Sequence, residues 1–159
     1  SLEERALEFY NYSVKQEYDS LVDCLHSSNF KSVTRNDFKT FLSKKLVSDE
    51  VTISPINTPP NFYFGEIKKI GETYYCIYYT DQTMKATFSH ELSGQHSNYL
   101  IEYVKKRFAT DKVVFNSRMN AILLLHRIKD VAIADKENNY IWTFSPQIAD
   151  RAVIEQLGL

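Results

Sequence analysis

The sequence predicts an α+β fold, and three observations carry the prediction. Apolar residues recur at spacings of three and four over Leu2–His26 and again after Thr34, the period of helices with one buried face. Residues 61–88 are dense in Tyr and Phe and broken by short polar turns, the pattern of antiparallel strands. Gly and Pro are scarce, four of each, and no GxGxxG, GxxxxGK[ST] or GxSxG occurs. Enzymes that bring backbone against phosphate or strain a nucleophile turn need those glycines, so both classes are excluded. The expected architecture is an N-terminal helical pair, a central antiparallel β-meander and a C-terminal helix–hairpin–helix unit. The chain divides into a helical lobe (1–47), a linker with the meander (48–92) and the third unit (93–159), read as one compact domain.

Composition sets the outer bounds. A chain of 159 residues with 43% apolar side chains can bury a real core. A formal net charge of −1 gives no global field for nucleic acid. The two cysteines, Cys24 and Cys76, lie far apart without metal spacing, which argues against a disulfide framework. The charged start Ser1-Leu-Glu-Glu-Arg5 enters a helix directly and is not a signal peptide. No apolar run approaches the roughly 20 residues of a membrane span. With Ser rather than Met at its head, the chain is expected to be a domain of a longer, intracellular, soluble protein.

Taken in order, Leu2–His26 reads as one long helix with Leu2, Ala6, Phe9, Tyr10, Leu21 and Leu25 among the residues of its apolar face, and with Glu3 and Glu4 set against the helix dipole. Thr34 is the expected N-cap of a second helix carrying Phe38, Phe41, Leu42 and Leu46. Val51–Ile53 suits a short strand, and Pro55, Pro59 and Pro60 then hold the chain extended. Strands are expected at 62–70, 74–79 and 84–88, with turns at Gly71–Thr73 and Asp81–Gln82. Ser97–Phe108 reads as a helix burying Leu100, Ile101, Val104 and Phe108, with Lys105, Lys106 and Arg107 on its far side.

The apolar stretch Ser117–Asp130 is expected to form a further helix. A strand Val131–Ala134, a polar tip Asp135–Asn139 and a return strand Tyr140–Phe144 follow, with Trp142 packed on the Ile122–Ile128 helix. Ser145 and Pro146 supply an N-cap and a first helical residue for a last helix that stops at Gly158. Helix, hairpin and capping helix in this order resemble the winged-helix module.

Residues 97–136 hold eight basic side chains against four acidic ones. With the tip at 135–139 as a wing, this local excess suits contact with nucleic-acid phosphates through Lys105, Lys106, Arg107, Lys112, Arg118, Arg127 and Lys129. The competing reading is a set of solvated helix faces. A second constellation is Glu66-Ile-Lys68 with Asp49 upstream. In the order helix, short strand, long strand, strand, helix it resembles the PD-(D/E)xK nuclease core. That resemblance implies Asp49 and Glu66 as ligands of a divalent metal and Lys68 as the residue steadying an attacking water. His90-Glu91 and His96 are six apart, so no single helical face aligns both imidazoles on zinc. Cys24 and Cys76 read as buried small hydrophobes.

The function expected is a non-enzymatic interaction module of a larger intracellular protein or complex, with no cofactor or metal. A protein is its first expected partner and nucleic acid its second. A metal-dependent nuclease on Asp49, Glu66 and Lys68 is the alternative. The oligomeric state is not legible in the sequence.

Overall fold

Two long strands, β3 (Thr73–Phe88) and β5 (Ala121–Ala134), pair antiparallel from Tyr74 opposite Ala134 to Thr87 opposite Ala121. The computed structural model, which describes residues 1–45, 50–148 and 150–159, builds the fold around this ribbon. β1 (Val51–Pro55) and β2 (Asn61–Ile70) share the outer edge of β3, while β4 (Val113–Asn116) and β6 (Thr143–Ser145) share that of β5. Helices and an antiparallel sheet make the fold α+β, as expected.

The expected helix at 117–130 does not form, and that overturns the helix–hairpin–helix unit and its likeness to a winged helix. A short apolar run such as Ala121–Leu125 satisfies helical and buried-strand patterns equally. Side chains decide it here: Ile122, Ile128, Val131 and Ile133 are β-branched and stiff, which favours a pleated strand. Asn120 closes the turn from β4 in the left-handed region, φ 44°, where Asn is tolerated. Its side chain then accepts from Leu92 N–H and donates to the carbonyls of Phe88 and His90, fastening the end of β3.

The expected turn at Asp81–Gln82 is also absent. β3 runs straight through it, because Asp81 is taken up opposite Arg127 of β5 and Gln82 is buried on the inner face. The meander is therefore a hairpin of β2 and β3, turned at Gly71 with φ 63°, and continued by β5. β2 carries a bulge between Phe64 and Ile67. Gly65 sits in it because a Cβ there would lie 2.9 Å from the Ile77 carbonyl oxygen.

At the N-terminus, the expected long helix is cut by Gln16 at φ 58° into α1 (Leu2–Lys15) and α2 (Tyr18–Asp23). A capping box of Ser1 and Glu4 opens α1. After a 3₁₀ turn at Ser27–Phe30 comes α3 (Arg35–Lys45), where Asp37 N–H donates to Thr34 Oγ1 at 3.1 Å, the cap the sequence predicts. Ion pairs of Arg35 with Asp23 and Lys39 with Asp19 bind α3 to α2.

Alternation sends one side of the ribbon inward, and two apolar clusters form along it. Under α1, Leu2 and Ala6 meet Cys76, Tyr78, Ala132 and Phe144, with Phe9 stacked on Phe144 at 4.6 Å. Under α4 (Gly94–Phe108), Val104 meets Ala86, Val113, Ile122 and Leu124. Burial of such side chains contributes roughly 25 cal/mol per Å2 of apolar area. Trp142 packs half-buried against the first cluster from outside β6, not against a helix. Ser145 is no helix cap: it ends β6 buried, with its hydroxyl within donating distance of both Asn29 Oδ1 and the Gln147 carbonyl, which share its one proton. The last helix, α5 (Arg151–Leu157), starts later, where Asp150 accepts from Ala152 and Val153 N–H at 2.9 and 3.3 Å.

Candidate functional site

α4 ends because Ala109 takes left-handed backbone, φ 48°, and returns its N–H to the Lys105 carbonyl. Residues 110–112 then fold back, and the Lys112 carbonyl accepts from Leu125 N–H of β5 at 3.0 Å. Between the end of α4, this loop and β5 opens a cleft of about 930 Å3. Met84 and Leu125 lie in its floor, Phe108 and His126 meet edge to face at 5.2 Å in its wall, and Tyr103, 55% exposed, stands at its rim.

Three cations converge there. Arg127 is fixed in place by Asp81, with Nε to Oδ1 at 2.7 Å and Nη2 to Oδ2 at 2.9 Å. Its guanidinium lies 4.6 Å from the centre of the Tyr63 ring, and the Tyr63 hydroxyl donates to Asp81 Oδ2 at 3.2 Å. The hydrogen bonds from Arg127 hold the Asp81 carboxyl below the usual carboxylate range despite its desolvation. Burial, and then the charge of Arg107, pushes His126 down, so its ring is neutral at physiological pH. Arg107 and Lys112 have no ion-pair partner among the described residues. Against Arg107, Lys112 and Arg127 the lining sets Asp81 and Asp111, an excess of one positive charge.

The edge of β5 beside this cleft is open. β4 leaves β5 at Leu124 and β6 joins it at Val131, and among the described residues no strand pairs with residues 126–130 on that side. Leu125 N–H already points outward to Lys112, so by alternation the backbone N–H and C=O of Arg127 and Lys129 point outward as well.

Of the seven basic candidates, the fold brings Arg107, Lys112 and Arg127 together. Lys105 is paired with Glu102 at 2.9 Å, and Lys106 is exposed without lining the cleft. Lys105, Lys106 and Arg107 occupy the last turn of α4, where positive charge complements the helix dipole, a sufficient structural reason for that run. Arg118 sits in the turn at the far end of β5, and Lys129 lies two residues beyond Arg127 on the same face. The tip expected as a wing is tied down, with Asp135 Oδ2 on His26 Nε2 at 2.9 Å and Ser27 on Glu137 at 3.1 Å. Sequence reading missed Asp81, Tyr63 and Tyr103. The signal for Asp81 is its place opposite Arg127, which exists only once 121–134 is a strand.

Of the nuclease constellation, Glu66 and Lys68 lie among the described residues. Asp49 lies outside them. Glu66 is exposed in the bulge of β2, and Lys68 donates to the Gln156 carbonyl of α5 at 3.3 Å. Glu50 sits at the other end of β3, its carbonyl on Ser89 N–H, whereas Lys68 lies opposite Tyr75. At about 3.3 Å per residue, on the order of 40 Å of strand separates them. Among the described residues no group of His, Cys, Asp or Glu is placed to hold a metal ion, and no helix is long and apolar enough to cross a membrane. Cys24 and Cys76 are buried free thiols, pushed up in pKa by that burial. The chain matches no protein-family model, and no curated protein is detectably similar to it in sequence.

Proposed function

We propose that the chain is a non-enzymatic interaction module of a larger intracellular protein or complex, and that it grips an extended acidic segment of a partner protein at the cleft. The observation that carries this reading is the coincidence of two features. Arg107 and Lys112 stand free of ion pairs among the described residues, and they border the open edge of β5 at residues 126–130. A peptide laid along that edge gains backbone hydrogen bonds from Arg127 and Lys129, and its carboxylates meet the three cations. Met84, Leu125 and Phe108 offer apolar contact for intervening side chains. The buried free thiols support a reducing compartment, cytoplasmic or nuclear.

Nucleic acid is the second reading, favoured by the exposed Tyr103 ring beside Arg107 and Lys112, since cations with a stacking platform suit single strands. An anisotropy titration at about 50 mM salt separates the two. An alternating Glu-Val peptide should bind, and the double variant Arg107→Glu/Lys112→Glu should lose roughly tenfold or more of that affinity while remaining folded. Submicromolar binding of a single-stranded oligonucleotide that falls steeply with salt, with no peptide binding, would refute the protein reading in favour of the second.

A further inference from the structure

Between α1 and the inner face of the ribbon, in the gap separating the two apolar clusters, lies a second, smaller cavity of about 40 Å3. Its walls are aromatic: Phe9 and Tyr10 of α1, Phe62 of β2 and Tyr78 of β3. Its inner surface carries Asp130 of β5, only 9% exposed, together with Thr80 and Gln82 of β3, 5% and 4% exposed. No hydrogen bond or ion pair engages the Asp130 carboxylate or the Thr80 and Gln82 side chains among the described residues, and their polar atoms keep a little contact with solvent. Alternation sends the neighbouring cations, Arg127 and Lys129, to the opposite face of the sheet, so neither neutralises Asp130.

We propose that this cavity is a binding site for an organic ammonium ion, with the charged head on Asp130 and the aromatic rings of Phe9, Tyr10, Phe62 and Tyr78 around it. A site with one buried carboxylate and neutral oxygen acceptors selects a cation and rejects an anion. A divalent metal demands more carboxylate or imidazole ligands than the described residues bring here. Ring faces attract cations and suit an alkylammonium, whose hydration is easily given up, better than a hydrated inorganic ion. Size agrees as well. One water needs about 10–15 Å3 of such space, so the cavity takes an ammonium head, with the remainder of the ligand lying outside. A free amine and a lysine side chain of a partner share this chemistry. The site is separate from the cleft at the end of α4 and stands or falls independently of it.

Calorimetric titration of the whole chain with n-butylammonium chloride tests the proposal, with sodium chloride and n-butanol as controls. The expected result is saturable binding of butylammonium that neither control reproduces, weakened at least tenfold in Asp130→Asn and weakened again in Phe62→Leu. Removing the lone buried charge should leave Asp130→Asn folded, and a far-UV spectrum matching the parent establishes that. An N-acetyl-lysine methylamide arm separates the sources: binding comparable to butylammonium points to a side chain, and exclusion with butylammonium retained points to a free amine. The proposal is overturned if butylammonium does not saturate, if Asp130→Asn binds it as well as the parent, or if sodium chloride gives the same signal.

Discussion

Asp130 offers the sharpest test of the structure. Burial alone pushes its carboxyl up from 3.8 to about 6 in the folded chain. The proton is thus held more tightly in the folded state than in the unfolded one, and the ionised form is what folding must tolerate. Below about pH 4 the group is protonated in both states and costs nothing; above about pH 6 it is ionised in both, and the whole penalty is present. A shift of about two pH units corresponds to roughly 3 kcal/mol. Asp130→Asn keeps the shape and removes the charge, so it should stabilise the chain by about 2–3 kcal/mol at pH 7.5. For a chain of this size that raises the thermal midpoint by roughly 5–10 °C. The gain should shrink through pH 6 to 4 and vanish near pH 3.5. Of the other titratable groups near the cavity, Tyr78 is pushed up by burial and stays neutral throughout, the Tyr10 hydroxyl donates to the Thr58 carbonyl, and His126 on the same face of β5 is held down by burial and Arg107. Urea unfolding of parent and variant at four pH values gives the difference directly, and acid unfolding common to both cancels. A gain independent of pH, or a loss of stability at pH 7.5, would refute the buried, unpartnered carboxylate.

Three further outcomes follow from the packing. Gly65→Ala should cost about 1–3 kcal/mol, since its Cβ meets the Ile77 carbonyl at 2.9 Å and backbone must shift, and urea unfolding reads the loss. Ser145→Ala and Asp150→Ala should each cost about 1–2 kcal/mol, the first by removing the buried hydroxyl that ties β6 to Asn29 and the second by uncapping α5. Pro146→Ala should be mild in the same assay, because Pro146 is exposed outside any helix. Asp81→Ala should change stability by under about 1 kcal/mol, because its ion pair with Arg127 is largely exposed on the Arg127 side, yet it should tighten binding of an acidic peptide by freeing Arg127. Weaker peptide binding in that variant would mean that Asp81 orients Arg127 rather than competing for it.

How much of this was legible depended on whether the deciding signal was local. Thr34 as a cap, the helix buried through Leu100, Ile101, Val104 and Phe108, and the Gly71 turn all rest on residues within a few positions of each other. The conformation of 121–134 does not. Ala121–Leu125 carries no periodicity that excludes a helix, and the local preference of the β-branched residues of 121–134 is realised as a strand through pairing with β3, far away in the chain. That one element governs the wing and the packing of Trp142, which both assumed a helix there, whereas the cap at Ser145 rested on the Ser145-Pro146 pair alone. The same pairing hid the site. Asp81 looked like a turn residue because its partner, Arg127, was on the other side of a strand not yet recognised. Asp130 looked like the polar end of a helix, whereas alternation turns it inward among aromatic rings. The basic run Lys105–Arg107 was visible in composition, but whether it faces a partner or the helix dipole is a question of geometry.

The ribbon of β3 and β5 also dictates an order of events as the chain folds. Closing a loop costs more entropy the longer it is, and the closest β3–β5 partners in sequence are Thr87 and Ala121, at the α4 end. Pairing is cheapest to nucleate there, with Ile122 and Leu124 collapsing onto α4, and each later rung extends toward Tyr74 and Ala134. The Leu25–Phe144 bridge, which brings the first helices onto the sheet, joins a far wider separation and comes last. Truncating Ile122 should therefore slow folding, whereas truncating Phe144 should chiefly speed unfolding, and a chevron analysis of the two variants reads that polarity.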